Sequence, residues 1–284
     1  MSTQMRAFLE SRLGELRYER IGKRIRAVLG DETAVDSTRA ALVWEPRRVV
    51  PSYAIPAGDV HGEMAPAGAT VVGDSGEAGV AMPALSRRPV LDPSVPFAVH
   101  TADGQVVDVR ACGQDRPGAG FRLSDPHLAG YVVLDFSAFH GWYEEDEPNV
   151  AHPRDPFHRI DVLASSRHVR LELDGQLLAE SSRPVLLFET MLSARYYLPP
   201  EDIRAGLRPS PTRTYCAYKG QASYWSVTVG DRVIPDIAWS YHEPLHDASQ
   251  VRGLTAFFDE RVDVIVNGER HERPVTPWSS GPGS

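Results

Sequence analysis

The sequence predicts a mostly β chain: two divergent tandem repeats, each a small antiparallel β-sandwich or barrel, preceded by a docking helix. Three observations carry this. Short alternating runs end in turn residues almost throughout, the two halves of the chain can be laid on one another, and 284 residues suffice for two domains of about 100–150 residues each.

Residues 3–18 place Met5, Phe8, Leu9, Leu13 and Leu16 on one helical face, with Ser2 or Thr3 available as cap, which predicts a docking helix within residues 1–19. The pattern then shortens. IRAVLGDETAVDS and ALVWEP read as strands broken by turns. In VRLELDGQLLAES, Val169, Leu171 and Leu173 alternate with Arg170, Glu172 and Asp174, and Asp174-Gly175 is a strong hairpin signal. YWSVTVGDRVIPDIAWSY reads as a second hairpin turning at Gly230-Asp231, and LLFET, ARYYLP, TAFF and VDVIV supply further strands.

Laid on each other with a one-residue gap, the segments beginning at Ile25 and Val169 match Ser37 with Ser181, Arg39 with Arg183, Trp44 with Phe188, Glu45 with Glu189 and Asp59 with Asp202. Farther on, Gly104 meets Gly220, Phe121 meets Trp239 and Asp125-Pro126 meets Glu243-Pro244. This predicts a first repeat over 20–155, a second over 160–270, a boundary within HPRDPFHRID and a flexible tail over 271–284. Residues 61–96, rich in Ala, Gly and Pro, have only a short counterpart and read as a disordered loop with one or two transient strands, or as a lid.

A net charge of −8 and a pI near 5.7 argue against a nucleic-acid binder. Two cysteines in separate halves make a disulfide framework improbable and point to a reducing cytoplasm. The charged N-terminal stretch lacks a signal-peptide core, and no span has the roughly 20 apolar residues of a membrane helix.

ARYYLPPEDI, TYCAYKGQASYWSV, DIAWSYHEP and AFFDERVDVIV resemble the successive motifs of the bacterial domain-of-unknown-function family 427, and residues 20–268 resemble its tandem two-domain members. The resemblance implies a compact β-rich fold and no agreed activity. A nucleotidyltransferase label has been attached to the family, but no phosphate-cradling Gly-rich loop opens a helix here.

The chemistry concentrates in TYCAYKGQASYW. The shared glycine fits a turn needing positive φ, while the residues around it differ between repeats: His100 stands for Cys216 and Asp103 for Lys219. Lys219 with Glu243 makes a general-base and electrostatic pair, and Cys216 is a nucleophile candidate that needs a base from elsewhere in the fold. Tyr218, Trp225, Trp239 and Tyr241 are the candidate ligand-binding aromatics, although strand alternation divides them between faces. The bland alternatives are a solvated turn lysine, a buried small thiol and a strand-end carboxylate bonding turn amides. Glu189 and Glu45 read as partners of arginines in structural ion pairs. HEPLH, residues 242–246, matches the zinc-protease pattern, but Pro244 breaks the helix that pattern needs, so no metal is expected. These residues point to a cofactor-independent small-molecule enzyme acting in the second repeat or between repeats. A noncatalytic pocket for a polar or sugar-like ligand, and a structural or partner-binding role, are the alternatives.

Overall fold

A computed structural model describes residues 2–71, 78–83 and 86–280. The chain is mostly β and divides into two compact units, one of residues 1–80 and 88–155, the other of 81–87 and 156–284. After the helix α1 (Met5–Arg12), the first unit carries β1 (Arg17–Arg20), β2 (Ile25–Leu29), β3 (Glu32–Ser37), β4 (Ala41–Trp44), β5 (Ser52–Pro56), β6 (Gly62–Val71), β7 (Gly104–Ala111), β8 (Gln114–Leu123), β9 (Tyr131–Leu134), β10 (Gly141–Glu144) and β11 (Glu147–Asn149). The second carries β12 (Ile160–Ala164), β13 (Val169–Leu173), β14 (Gln176–Ser181), β15 (Val185–Glu189), β16 (Arg195–Leu198), β17 (Arg208–Cys216), β18 (Gly220–Val229), β19 (Arg232–Ser240), β20 (Thr255–Phe257), β21 (Asp263–Val266) and β22 (Glu269–Arg270).

Both units have one topology. A seven-stranded sheet runs β1-β4-β5-β9-β8-β7-β6 in the first and β12-β15-β16-β20-β19-β18-β17 in the second; the four-stranded sheets run β3-β2-β10-β11 and β14-β13-β21-β22. The register of the sequence self-comparison recurs in detail. Ser37 and Ser181 each end a strand and accept the amide of Arg39 or Arg183 at 3.1 Å, and those arginines reach Asp59 and Asp202. Both hairpins form where the turn residues place them, with Asp174, Gly175 and Gly230 at positive φ.

Strands buried on both faces explain the apolar runs. In the second unit Leu186, Tyr196, Ala238 and Phe257 join the core shared with the four-stranded sheet, while their neighbours Leu187, Tyr197, Trp239 and Ala256 fill the opposite face. That opposite face is concave. β15 and β18 are four strand spacings apart, about 19 Å if the sheet were flat, yet Lys219, just before β18, touches Glu189 at the end of β15. The sheet therefore curls until its outer strands approach.

Three expectations about the ends and the long loop need correction. The helix is only eight residues long, capped by no side chain, and residues 17–20 pair as a strand with β4. Its apolar face is exposed, with Met5 at 66%, Phe8 at 42% and Leu9 at 44%, and none of its residues is buried. Residues 62–71 form β6 against β7, the counterpart of β17. Beyond it, Arg47 donates to the carbonyls of Ala78 and Pro89, and Arg48 donates to those of Pro96 and Val99. Two buried guanidiniums thus satisfy backbone that composition alone marks as loose; residues 72–77 and 84–85 of that stretch lie outside the described residues. Finally, the tail is ordered through Pro277–Ser280, because Thr276 and Trp278 dock on Glu260 and Arg195.

Candidate functional site

The turn between β17 and β18 sends Lys219 inward. Its ammonium pairs with Glu189, and the other carboxylate oxygen of Glu189 accepts a bond from His158 Nε2 at 2.9 Å. Burial pushes Glu189 up, but Lys219 and His158 outweigh it and bring its pKa down to about 2. Burial acts against the Lys219 ammonium, and Glu189 more than reverses this, so its pKa is raised. Both groups stay ionised across the neutral range. The His158 ring stacks on Tyr218 at 4.6 Å and keeps 21% of its side chain exposed. Tyr197 and Tyr241 line the floor, both with phenol pKa values raised chiefly by burial, Tyr197 to about 12.

A second charged group adjoins the first. Trp239 Nε1 donates to Tyr197 Oη at 3.1 Å, and its ring lies under the Arg195 guanidinium, which Trp278 covers from another side, each 5.7 Å away. Arg195 donates to both oxygens of Glu260 at 2.8 and 2.6 Å and lies 3.8 Å from Asp259. Burial, aided by Glu260 and opposed by Arg195, raises the Asp259 pKa to about 7. One guanidinium facing two carboxylates leaves one of them undercompensated.

The proposed Lys219–Glu243 pair does not form. The Glu243 backbone passes the Gly220 turn, but its side chain is exposed, whereas the Lys219 ammonium is committed to Glu189. Trp225 and Trp239 lie on opposite faces of the sheet: Trp225 packs on the inter-sheet core and donates to Ser240, while Trp239 faces the concave side with Tyr241. Tyr218, Trp239 and Tyr241 thus accompany Lys219, and Trp225 does not. Cys216 is partly buried beside Lys219 and accepts the amide of Tyr218 at 3.5 Å. In HEPLH, His242 is exposed and His246 opens a separate 3₁₀ turn (His246–Val251) in contact with Asp247, so the two histidines share no helix.

Glu189 pairs with a lysine and a histidine, not with an arginine. Its counterpart Glu45 is buried and held by His100 Nδ1 at 3.0 Å and by the amides of Thr101 and Ala102 at 2.7 and 3.1 Å. The signal for this anchor is in the sequence, a glutamate ending an apolar strand in both repeats; its partners arrive from 30 or more residues away. His158, Arg195 and Asp259 carry no comparable signal.

The shared glycine has two different causes. Gly220 has φ +88°, the left-handed turn expected, but Gly104 does not lie at positive φ; a Cβ there would run into the Arg122 carbonyl and the Phe121 ring.

Residues 161–268 match the family model described as Domain of unknown function (DUF427). The match includes Glu189, Lys219, Arg195 and Asp259 and begins just after His158. No curated protein matches the chain.

Proposed function

We propose, taking as premise that residues 161–268 are a domain of the DUF427 family, that the second unit is a cofactor-independent enzyme performing acid/base chemistry on a small polar molecule. The observation that supports this is the hydrogen bond from a partly exposed imidazole to a carboxylate that a buried lysine holds ionised. A carboxylate fixing one ring nitrogen sets the tautomer and leaves the other to exchange protons with a substrate. In the neutral ring, Nε2 donating to Glu189 leaves the lone pair on His158 Nδ1. Lys219 keeps Glu189 charged and supplies a fixed positive potential toward charge developing on the substrate. Asp259 is a second group able to gain or lose a proton near neutrality. Glu189 and His158 thus take the place of Glu243 as the acid/base unit, with Lys219 in the electrostatic role and Cys216, Tyr218, Trp239 and Tyr241 as surroundings.

In this reading the first unit is a divergent duplicate: Ala54 replaces Tyr197, Asp103 replaces Lys219 and Phe121 replaces Trp239 in a shared topology. A cytoplasmic location and a small-molecule partner, without nucleic acid or membrane, belong to the same proposal; no helix among the described residues is long and apolar enough to cross a membrane.

Incubation of the protein with a cellular metabolite extract, followed by untargeted mass spectrometry, tests the reading. Wild type is expected to consume at least one metabolite, and His158→Gln to slow that loss by about 10²-fold or more. A metabolite retained by the protein but never converted favours the noncatalytic pocket instead.

A further inference from the structure

Arg195 of the second unit touches two indoles of different origin. Trp239 belongs to β19 and so to the sheet, whereas Trp278 comes from the C-terminal segment, beyond the residues that match the family model. Each ring has the guanidinium over its π face, 5.7 Å from the ring centre. The terminal nitrogens of Arg195 donate to Glu260, and Asp259 lies 3.8 Å away. These carboxylates take up the hydrogen bonds of Arg195 and repel an anion. What it offers a further partner is a positive charge against the face of a ring.

We propose that Trp278 occupies a ring-stacking subsite on Arg195, which a small ligand with a neutral, electron-rich planar ring takes when residues 274–279 lift away. The segment is built to lift as one piece. Thr276 Oγ1 accepts the Trp278 amide at 3.2 Å, Ser279 Oγ accepts the Thr276 amide at 3.0 Å, and the Ser279 amide donates to the Thr276 carbonyl at 3.1 Å, so its polar groups bond chiefly to each other. Among the described residues, a single hydrogen bond ties 274–279 to the rest of the unit, from Thr276 Oγ1 to Glu260 at 2.7 Å. Apolar burial adds little, since Val275 is 62% and Trp278 39% exposed. Arg273, bonded to Asp263 at 2.9 Å, fixes the point from which the segment swings. The subsite adjoins the acid/base unit: Trp239 donates to Tyr197 Oη at 3.1 Å, and the Tyr197 phenol feels the charges of both Lys219 and Glu189. That the ligand's ring is part of a substrate rests on the acid/base reading; that the subsite accepts a ring does not.

Calorimetry of the full chain with indole as probe tests this. Tethered beside Arg195, the Trp278 ring competes with a free ring at high effective concentration, so Trp278→Ala is expected to bind indole about tenfold or more tighter than wild type. Cyclohexanol, which has no π face, and benzoate, which is anionic, are expected to bind that variant about tenfold or more weaker than indole does. Bound indole should shift the Arg195 side-chain N–H resonances through its ring current, and Arg195→Gln in the Trp278→Ala background should weaken binding about tenfold or more. The resonance shift decides the matter even if the Arg195 variant fails to fold. His158→Gln in the same background should leave indole affinity unchanged, so loss of turnover and loss of the subsite are separately visible. The inference is overturned if wild type and Trp278→Ala bind indole alike, if Trp278→Ala binds none, if cyclohexanol or benzoate binds as tightly, if the Arg195 resonances do not move, or if a folded Arg195→Gln protein keeps the affinity.

Discussion

Lys219 shows how far one side chain's surroundings can overturn its sequence context. Flanked by a tyrosine and a glycine in a hairpin turn, it reads as a solvated lysine whose loss changes stability by about 0.5 kcal/mol. Its burial against Glu189 changes that expectation. Lys219→Met leaves a buried carboxylate without its principal cation and should cost about 3–5 kcal/mol in urea denaturation, while Lys219→Met/Glu189→Gln should recover most of the loss. Equal destabilisation by the single and double variants would show that the pair is uncoupled. Acid titration gives a second measure. The Glu189 pKa falls from an ordinary 4.5 to about 2 on folding, so its contribution is present above pH 4.5 and disappears as pH drops toward 2. Asp259 has the opposite sign. Raised from 3.8 to about 7, it favours the folded state fully only below pH 3.8, and that contribution is lost as pH rises to 7. Asp259→Asn should therefore stabilise the protein at pH 8 by about 1 kcal/mol or more and flatten the pH profile between 4 and 7. An unchanged profile would place the titration elsewhere.

At the scale of elements, strands and hairpins were legible because their information is local. Alternation in VRLEL and the Asp174-Gly175 pair locate a hairpin within a dozen residues, and it forms there, with a bulge between Leu171 and Glu172 that shifts the pairing by one residue. Chain ends and loops were less legible because their order comes from distant donors. Arg47 and Arg48 clasp carbonyls 31 to 51 residues away, and Thr276 docks on Glu260. The two equivalent glycines show a limit of alignment itself, since one identity conceals two constraints. Gly220→Asn should cost less than Gly220→Ala, because asparagine tolerates the left-handed region. Gly104→Asn should cost more than Gly104→Ala, because the larger side chain deepens the collision with Phe121. Thermal melts of the four variants decide this, and the same ranking at both glycines would refute the distinction.

For the molecule as a whole, the sequence self-comparison predicts two like units, yet the site partners emerge only from the curl of the sheet. No alternation rule brings Glu189 within reach of Lys219 when three strands intervene between β15 and β18. Among the described residues, four hydrophobic clusters each draw their residues from one unit: two lie within residues 16–142 and two within 160–266. Residues 156–284 expressed alone should consequently give a dispersed amide spectrum and a cooperative melt. A molten spectrum would mean that residues 81–87, grouped with this unit, are needed for its fold.

The two buried glutamates differ in what mutation can take from them. Two of the three donors to Glu45 are main-chain amides, at Thr101 and Ala102, and every genetically encoded residue except proline supplies an amide. Glu189 relies on the side chains of Lys219 and His158, which nearly any missense change removes. In a saturation library scored for folded protein, Thr101 and Ala102 should therefore lose more to proline than to other residues of similar size, whereas codon 219 should accept little besides lysine. The first unit has stored its anchor in the chain itself, out of reach of most point mutations; the second keeps its anchor in two codons that drift or selection can erase in one step.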